Sequence, residues 1–239
     1  MLLIAHGGYS AKYPENTQLS YEKALEHNPD GLEMDVVYHN GEVYFYHPVG
    51  NKNSFGDDVD QLIKAQLTEK LSNNEMIFSL SDSDILSTYL KQTKFLNFDI
   101  KQKSINNALN ILERINELDF SASQIYIGAR DLDRVERFNK VNFQGKLISL
   151  DQDPETYKQY IDAGVEYIRI WFKDLNASIV EDIHQYGGKV IVNIKEELPD
   201  SIARTAGNFS EQRLKEVDSL GVDGVLINNI ELGRKLFPL

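Results

Sequence analysis

The 239-residue chain has no cysteine and a single tryptophan, and its 25 lysines and arginines are outnumbered by 37 acidic residues. Without cysteine there is no disulfide framework, no thiolate nucleophile and no zinc–sulfur site. A formal net charge of −12 is the opposite of the basic face that a nucleic-acid partner requires. The same charge still admits an anionic substrate, because a bound divalent cation inverts the local field. No apolar stretch approaches the length of a membrane span. The opening Met-Leu-Leu-Ile-Ala-His is too short for a signal peptide and lacks its basic start, so a cytoplasmic location is expected. Length alone fits one large core or two smaller ones and says nothing about oligomeric state.

What the chain does have is a concentrated polar pattern in residues 31–47. Read with a period of two, Glu33 and Asp35 share one strand face, while Leu32, Met34 and Val36 share the other. Asn40-Gly41 then reverses the chain, since this pair readily adopts the positive φ that a tight hairpin needs. A two-residue loop would pair His47 with Met34, on the wrong face. A three-residue loop over His39 to Gly41 would pair it with Glu33, and this geometry is preferred here because it gathers three polar groups into one site.

The rest of the chain alternates strands with helices. Strands are expected near residues 2, 32, 95, 124, 146, 167, 189 and 224, with the return strand at 43 as a hairpin decoration. Asn16 or Thr17 caps the first helix, Ser104 caps a strongly amphipathic one, and Gly164, Gly187 and Gly221 each end a helix before an apolar strand. Helical patterns at Asp60 to Leu71 and Asp84 to Leu90 lie in a segment, about 48–93, that is read as an insertion after the second strand. Eight βα units predict an α/β fold of the closed (β/α)8 or TIM-barrel type, spanning 1–239 as one domain. An open doubly wound sheet is the alternative.

In such a barrel the site lies at the carboxyl ends of the strands. Those ends carry His6, Glu33 with Asp35, Asp99 with Lys101, Arg130, Asp151, Trp171, Asn193 with Lys195, and Asn228. Glu33, Asp35 and Asp99 are hard oxygen donors that suit Mg²⁺ or Ca²⁺. His6 and His47 flank them as an acid and base pair, and Lys101 adds fixed positive charge, or forms a simple ion pair with Asp99. Together these groups describe cleavage of an anionic ester, most naturally a phosphodiester. Trp171, which shares a strand face with Arg169, is expected at the pocket mouth. His27, His39 and His184 are expected in solvent, and Glu196-Glu197 on a solvated face.

Ile4-Ala5-His6-Gly7-Gly8, Pro14-Glu15-Asn16-Thr17, Gly31-Leu32-Glu33-Met34-Asp35-Val36, His47, Asp99-Ile100-Lys101 and Leu220-Gly221-Val222-Asp223-Gly224 resemble, in order, the signature segments of the glycerophosphodiester phosphodiesterases. The resemblance implies a TIM barrel, a divalent cation and hydrolysis of a glycerol phosphodiester to glycerol phosphate and an alcohol. It further implies His6 and His47 as acid and base, Glu33, Asp35 and Asp99 as metal ligands, and Glu15 and Lys101 as substrate contacts. The chain departs from the family at Gly7, where arginine is usual, at Asp99, where glutamate is usual, at Pro48, where aspartate is usual, and at Asn228-Asn229. These departures leave open a related phosphodiesterase with an altered leaving group and a barrel that binds a phosphorylated ligand without turnover; a lyase that stops at a cyclic phosphate shares the fold and most of the residues.

Overall fold

A computed structural model of the chain describes residues 1–49, 58–150, 153–194 and 206–239. The strands are β1 (Leu2–His6), β2 (Gly31–His39), β3 (Glu42–Phe45), β4 (Phe95–Ile100), β5 (Ile125–Ala129), β6 (Lys146–Ser149), β7 (Tyr167–Trp171), β8 (Lys189–Asn193) and β9 (Gly224–Ile227). They run in the order β1-β9-β8-β7-β6-β5-β4-β2-β3, and a further parallel pairing of β1 with β2 closes eight of them into a barrel. β3 stays outside the ring as the antiparallel partner of β2.

Each barrel strand is followed by a helix: α1 (Gln18–Leu25), α3 (Ser83–Gln92), α4 (Ile105–Asn116), α5 (Leu132–Lys140), α6 (Tyr157–Asp162), α7 (Ala177–Gln185), α8 (Glu211–Ser219) and α9 (Ile230–Leu236). The extra helix α2 (Val59–Ser72) lies between β3 and α3. Its Val59, Ile63 and Leu67 pack with Val37 and Tyr46 in a small separate cluster, whereas Leu86, Tyr89 and Leu90 of α3 join the main core. The part of 48–93 added to the barrel is therefore the α2 region, and α3 completes the second βα unit. Among the described residues no helix is long and apolar enough to cross a membrane.

Local chemistry explains the boundaries. Thr17 caps α1 by accepting from Ser20 N at 3.2 Å, and Ser104 caps α4 by accepting from Asn107 N at 3.3 Å. The expected hairpin register is corrected by the structure. Val36 pairs with Phe45 and His39 with Glu42, so the loop has two residues, Asn40 at φ 49° and Gly41 at φ 88°. With both central residues left-handed, the turn matches the right-handed twist of its strands, and the three-residue alternative is not used.

Strand alternation creates two cores. Leu3, Leu32, Met34, Leu96, Phe98 and Ile127 face the helices in the larger one. Ile4, Phe95, Tyr126, Ile148, Tyr167, Ile191 and Leu226 form a second cluster made of strand residues alone, which fills the lower barrel interior. Two residues further along the same strands, the interior turns polar: His6, Asn97, Arg169, Asn193 and Asn228. The apolar floor thus ends one layer below a polar bowl at the carboxyl ends.

Candidate active site

The register brings the acidic residues together. His6 pairs with Glu33 across β1 and β2, and Asp35 pairs with Asp99 across β2 and β4. Glu33, Asp35 and Asp99 are all buried, and one carboxylate oxygen from each lies within 4.8 Å of the others. Lys101, just past β4, places its Nζ 2.7 Å from both Asp35 Oδ1 and Asp99 Oδ2. Only the Asp99 contact has hydrogen-bond geometry, so Asp35 Oδ1 remains a buried acceptor without a directed donor. The expected Lys101–Asp99 ion pair is present, but it belongs to a larger cluster. Arg130, past β5, donates from Nη2 to Asp99 Oδ1, and Arg169 Nη1 stands 3.9 Å from Asp99 Oδ2.

These cations distribute charge unevenly. Burial alone would raise the Asp99 pKa, but Arg130, Lys101 and Arg169 outweigh it and hold the carboxyl well below its ordinary range. Burial and the neighbouring Asp35 push Glu33 well above its ordinary value, since its directed support is Gly7 N at 3.1 Å. Asp35 goes the other way: Lys101 and His47 overcome its burial and keep it ionised. Of this coupled pair, Glu33 is the more readily protonated and Asp35 the more acidic.

His6 is half-buried beside them, its Nε2 3.9 Å from Glu33 Oε2. Asn228 donates from Nδ2 to Asn208 Oδ1, which leaves its Oδ1 to accept from His6 Nδ1 at 2.8 Å. That bond fixes the proton on Nδ1 and the lone pair on Nε2 in the neutral ring. Burial lowers the His6 pKa, against the opposing pull of Asp35. His47 lies beyond the last paired residue of β3, after Tyr46 N donates to Asp35 O at 2.9 Å. Pro48 cannot continue the ladder, so alternation no longer fixes the direction of His47. Its ring stays within electrostatic reach of Asp35 and hydrogen-bonds the Pro48 carbonyl at 3.1 Å through Nδ1. The expected pairing of His47 with Glu33 is lost together with the three-residue loop that it required.

Glu15 is exposed on the β1–α1 loop and contributes to the potential at His6. Trp171 is half-buried on the interior face of β7, with the Arg169 guanidinium 5.1 Å from its ring centroid. The paired glycines after His6 accommodate the chain itself: a Cβ on Gly8, at φ 86°, would lie 2.6 Å from the Ser20 carbonyl carbon. Asp151, Lys195 and Glu196-Glu197 lie outside the described residues. His39 corrects its solvent expectation, being buried beside the hairpin turn; His27 packs edge-on against Tyr9, and His184 pairs with Asp223 at 2.9 Å.

Asn16 is the site residue that pattern reading assigned elsewhere. It is not the cap of α1. At φ 56° it turns inward, donating from Nδ2 to Asp35 Oδ2 at 2.8 Å while its Oδ1 accepts from Asp35 N and Tyr21 Oη. Its place directly before the capping Thr17, as a residue type that tolerates positive φ, was the available signal.

Fold and site together define a TIM barrel with a buried carboxylate cluster, flanked by histidines and cations, at the carboxyl ends of its strands. The model of the glycerophosphoryl diester phosphodiesterase family matches residues 6–43, which hold His6, Glu15, Glu33 and Asp35. A glycerophosphodiester phosphodiesterase of Bacillus altitudinis is 23% identical over 242 aligned residues, 93% of this chain and 92% of that protein. A glycerophosphodiester phosphodiesterase of Thermotoga maritima superposes with a TM-score of 0.70 at 20% identity, covering 99% of this chain and 98% of that one. An Oleispira antarctica phosphodiesterase, solved with its product sn-glycerol-3-phosphate, gives a TM-score of 0.75 at 16% identity, covering 100% and 97%. The chain is thus similar to the glycerophosphodiester phosphodiesterases over nearly its whole length, shares their barrel fold, and carries the family's match in residues 6–43.

Proposed function

We propose that the chain is a phosphoric diester hydrolase that cleaves a glycerophosphodiester, or a related glycerol-phosphate linkage, to glycerol phosphate and an alcohol. The observation that carries this reading is the convergence of His6, Glu33, Asp35, Asp99 and Lys101 in one buried cluster at the carboxyl ends of β1, β2 and β4.

The donor set fits a hard divalent cation. Glu33 has no lysine or arginine ion pair among the described residues, and the buried Asp35 Oδ1 and Asn97 Oδ1 have no hydrogen-bond donor there. Glu33, Asp35 and Asp99 would hold such an ion, which supplies Lewis acidity and charge neutralisation toward the phosphoryl oxygens. Asp99 would share itself between that ion and the cations already on both of its oxygens. A ligand so encumbered, and one methylene shorter than glutamate, favours the longer and more variable Ca²⁺–oxygen distance over strict Mg²⁺ octahedra. Isothermal titration with Ca²⁺ and Mg²⁺ should therefore rank the substitutions: Asp35→Asn loses binding, while Asp99→Asn weakens it by about tenfold, the cost of one charged contact. Equal losses at both positions would make Asp99 a full ligand.

The chemistry starts from the His6 lone pair at Nε2. The glycerol hydroxyl next to the ester attacks phosphorus and gives its proton to Nε2, while His47 protonates the departing alcohol oxygen. Water then opens the cyclic phosphate with the two histidines in exchanged roles. Lys101 keeps Asp35 and Asp99 ionised throughout. Asn228 orients His6 without adding charge behind it. Phosphorus NMR of the products from glycerophosphocholine tests the reading: glycerol phosphate is expected, an accumulating cyclic phosphate would assign the lyase reaction, and unchanged substrate would leave a binding barrel.

Because burial depresses the His6 pKa, its base form persists below the ordinary value near 6.5, and the acidic limb of kcat/KM should fall below that pH. Asn228→Asp places a carboxylate behind Nδ1 and should move this limb upward by about one pH unit or more. A pH profile that ignores the substitution would remove His6 as the base.

A further inference from the structure

We propose that Arg169 is the anion-binding side chain of this site, its guanidinium taking the non-bridging oxygens of the substrate's phosphoryl group. The inference deepens the phosphodiester reading by assigning a residue that neither the family motifs nor the acidic cluster singles out.

Its first support is an inventory of cations in the bowl. Among the described residues these are Lys101, Arg130 and Arg169. Lys101 is committed to Asp35 and Asp99 at 2.7 Å each, and Arg130 donates to Asp99. Arg169 is 8% exposed, yet among the described residues its guanidinium makes no hydrogen bond, its nearest carboxylate oxygen is 3.9 Å away, and its buried Nε has no partner. An arginine carries five N–H donors in a planar fork matched to phosphate, and leaving them buried and unmet is costly. A side chain kept in that state is preorganised for an anion.

Position supplies the second support. β7 stands four strands from β2 in an eight-stranded ring, so Arg169 rises from the wall opposite Glu33 and Asp35. The layer below it is the apolar floor around Tyr167, and the residue above it on the same face is Trp171, whose ring lies 5.1 Å from the guanidinium carbon. The fork is thus backed by an aromatic face and lies between the apolar floor and the mouth. On the β1 side there is nothing equivalent: Gly7 has no side chain, and its N–H is spent on Glu33 at 3.1 Å. A phosphoryl group between the two walls has carboxylates and histidines on one side and the unspent donors of Arg169 on the other.

The test compares wild type, Arg169→Gln and Arg169→Lys. Inorganic phosphate and sn-glycerol 3-phosphate are titrated calorimetrically, turnover of glycerophosphocholine is measured in parallel, and thermal melts are recorded. Loss of charge-assisted hydrogen bonds should weaken binding of both anions in Arg169→Gln by about tenfold to hundredfold, with partial recovery in Arg169→Lys. The melting temperature of Arg169→Gln should be nearly unchanged, because the side chain removed is a buried cation whose only carboxylate contact among the described residues is the 3.9 Å approach to Asp99, which Lys101 and Arg130 still hold. Affinities within twofold of wild type, a melting temperature that drops while affinity holds, or failure of the wild type to bind either anion would overturn the proposal. A protein that binds phosphate through Arg169 but turns nothing over would sink the hydrolase reading alone.

Discussion

Replacing His6 by alanine is expected to lower kcat/KM toward a glycerophosphodiester by about 10²- to 10⁴-fold, the usual contribution of a positioned general base. Asn228 holds the His6 ring by Nδ1 and leaves Nε2 toward Glu33, whereas His47 bonds the Pro48 carbonyl through Nδ1. Structural damage should be small: the ring is partly accessible, and its removal strands only the Asn228 acceptor. Circular dichroism and a thermal melt distinguish loss of chemistry from loss of fold. Should His6→Ala keep turnover within a few-fold of wild type, the base is another residue.

Glu33→Gln is expected to do two opposite things. It should abolish divalent-cation binding, and it should stabilise the cation-free protein. The second effect follows from the sign of the Glu33 shift. Because its folded pKa is raised above the unfolded value near 4.3, metal-free stability is greatest below that pH and declines as pH rises toward the folded pKa. Glutamine removes that penalty. A gain of about 0.5–2 kcal/mol at neutral pH, the usual size of a single stabilising substitution, is expected. For a chain of this length each kcal/mol moves the melting temperature by roughly 2–4 °C. Wild type should recover more than this difference when Ca²⁺ is added, since saturation at 100 times the dissociation constant contributes about 2.7 kcal/mol. The variant should show no such recovery. A variant that melts lower than wild type in chelator would mean that Glu33 is a structural carboxylate.

The fold was legible because its determinants are local and periodic. Asn97, Asp99 and Lys101 alternate with Leu96, Phe98 and Ile100, which marks both the strand and its interior face, and the glycines at 164, 187 and 221 stop helices with positive φ as their spacing implied. The acidic cluster was legible for the same reason, since parallel register places residues at equivalent strand depths side by side. The hairpin shows where local reading fails: both loop lengths suit Asn40-Gly41, and the choice fell to strand twist, a property of the assembled sheet. His47 lies outside the reach of either register, because the ladder ends before it. Asn16 and His39 illustrate the same limit. Each is polar, in or next to a turn, and buried by elements distant in sequence. The isolation of Arg169 has no sequence signal either, because it depends on which carboxylates Lys101 and Arg130 have already engaged.

The most direct measurement is turnover of glycerophosphocholine by chelator-treated protein before and after addition of Ca²⁺ or Mg²⁺, with wild type and Asp35→Asn assayed side by side and glycerol phosphate quantified as the product. The cluster at Glu33, Asp35 and Asp99 predicts no product from stripped wild type, restored product when the cation returns, and none from Asp35→Asn under either condition. Equal release of glycerol phosphate by stripped and reloaded wild type, or undiminished turnover by Asp35→Asn, would contradict a phosphodiesterase site built on these carboxylates.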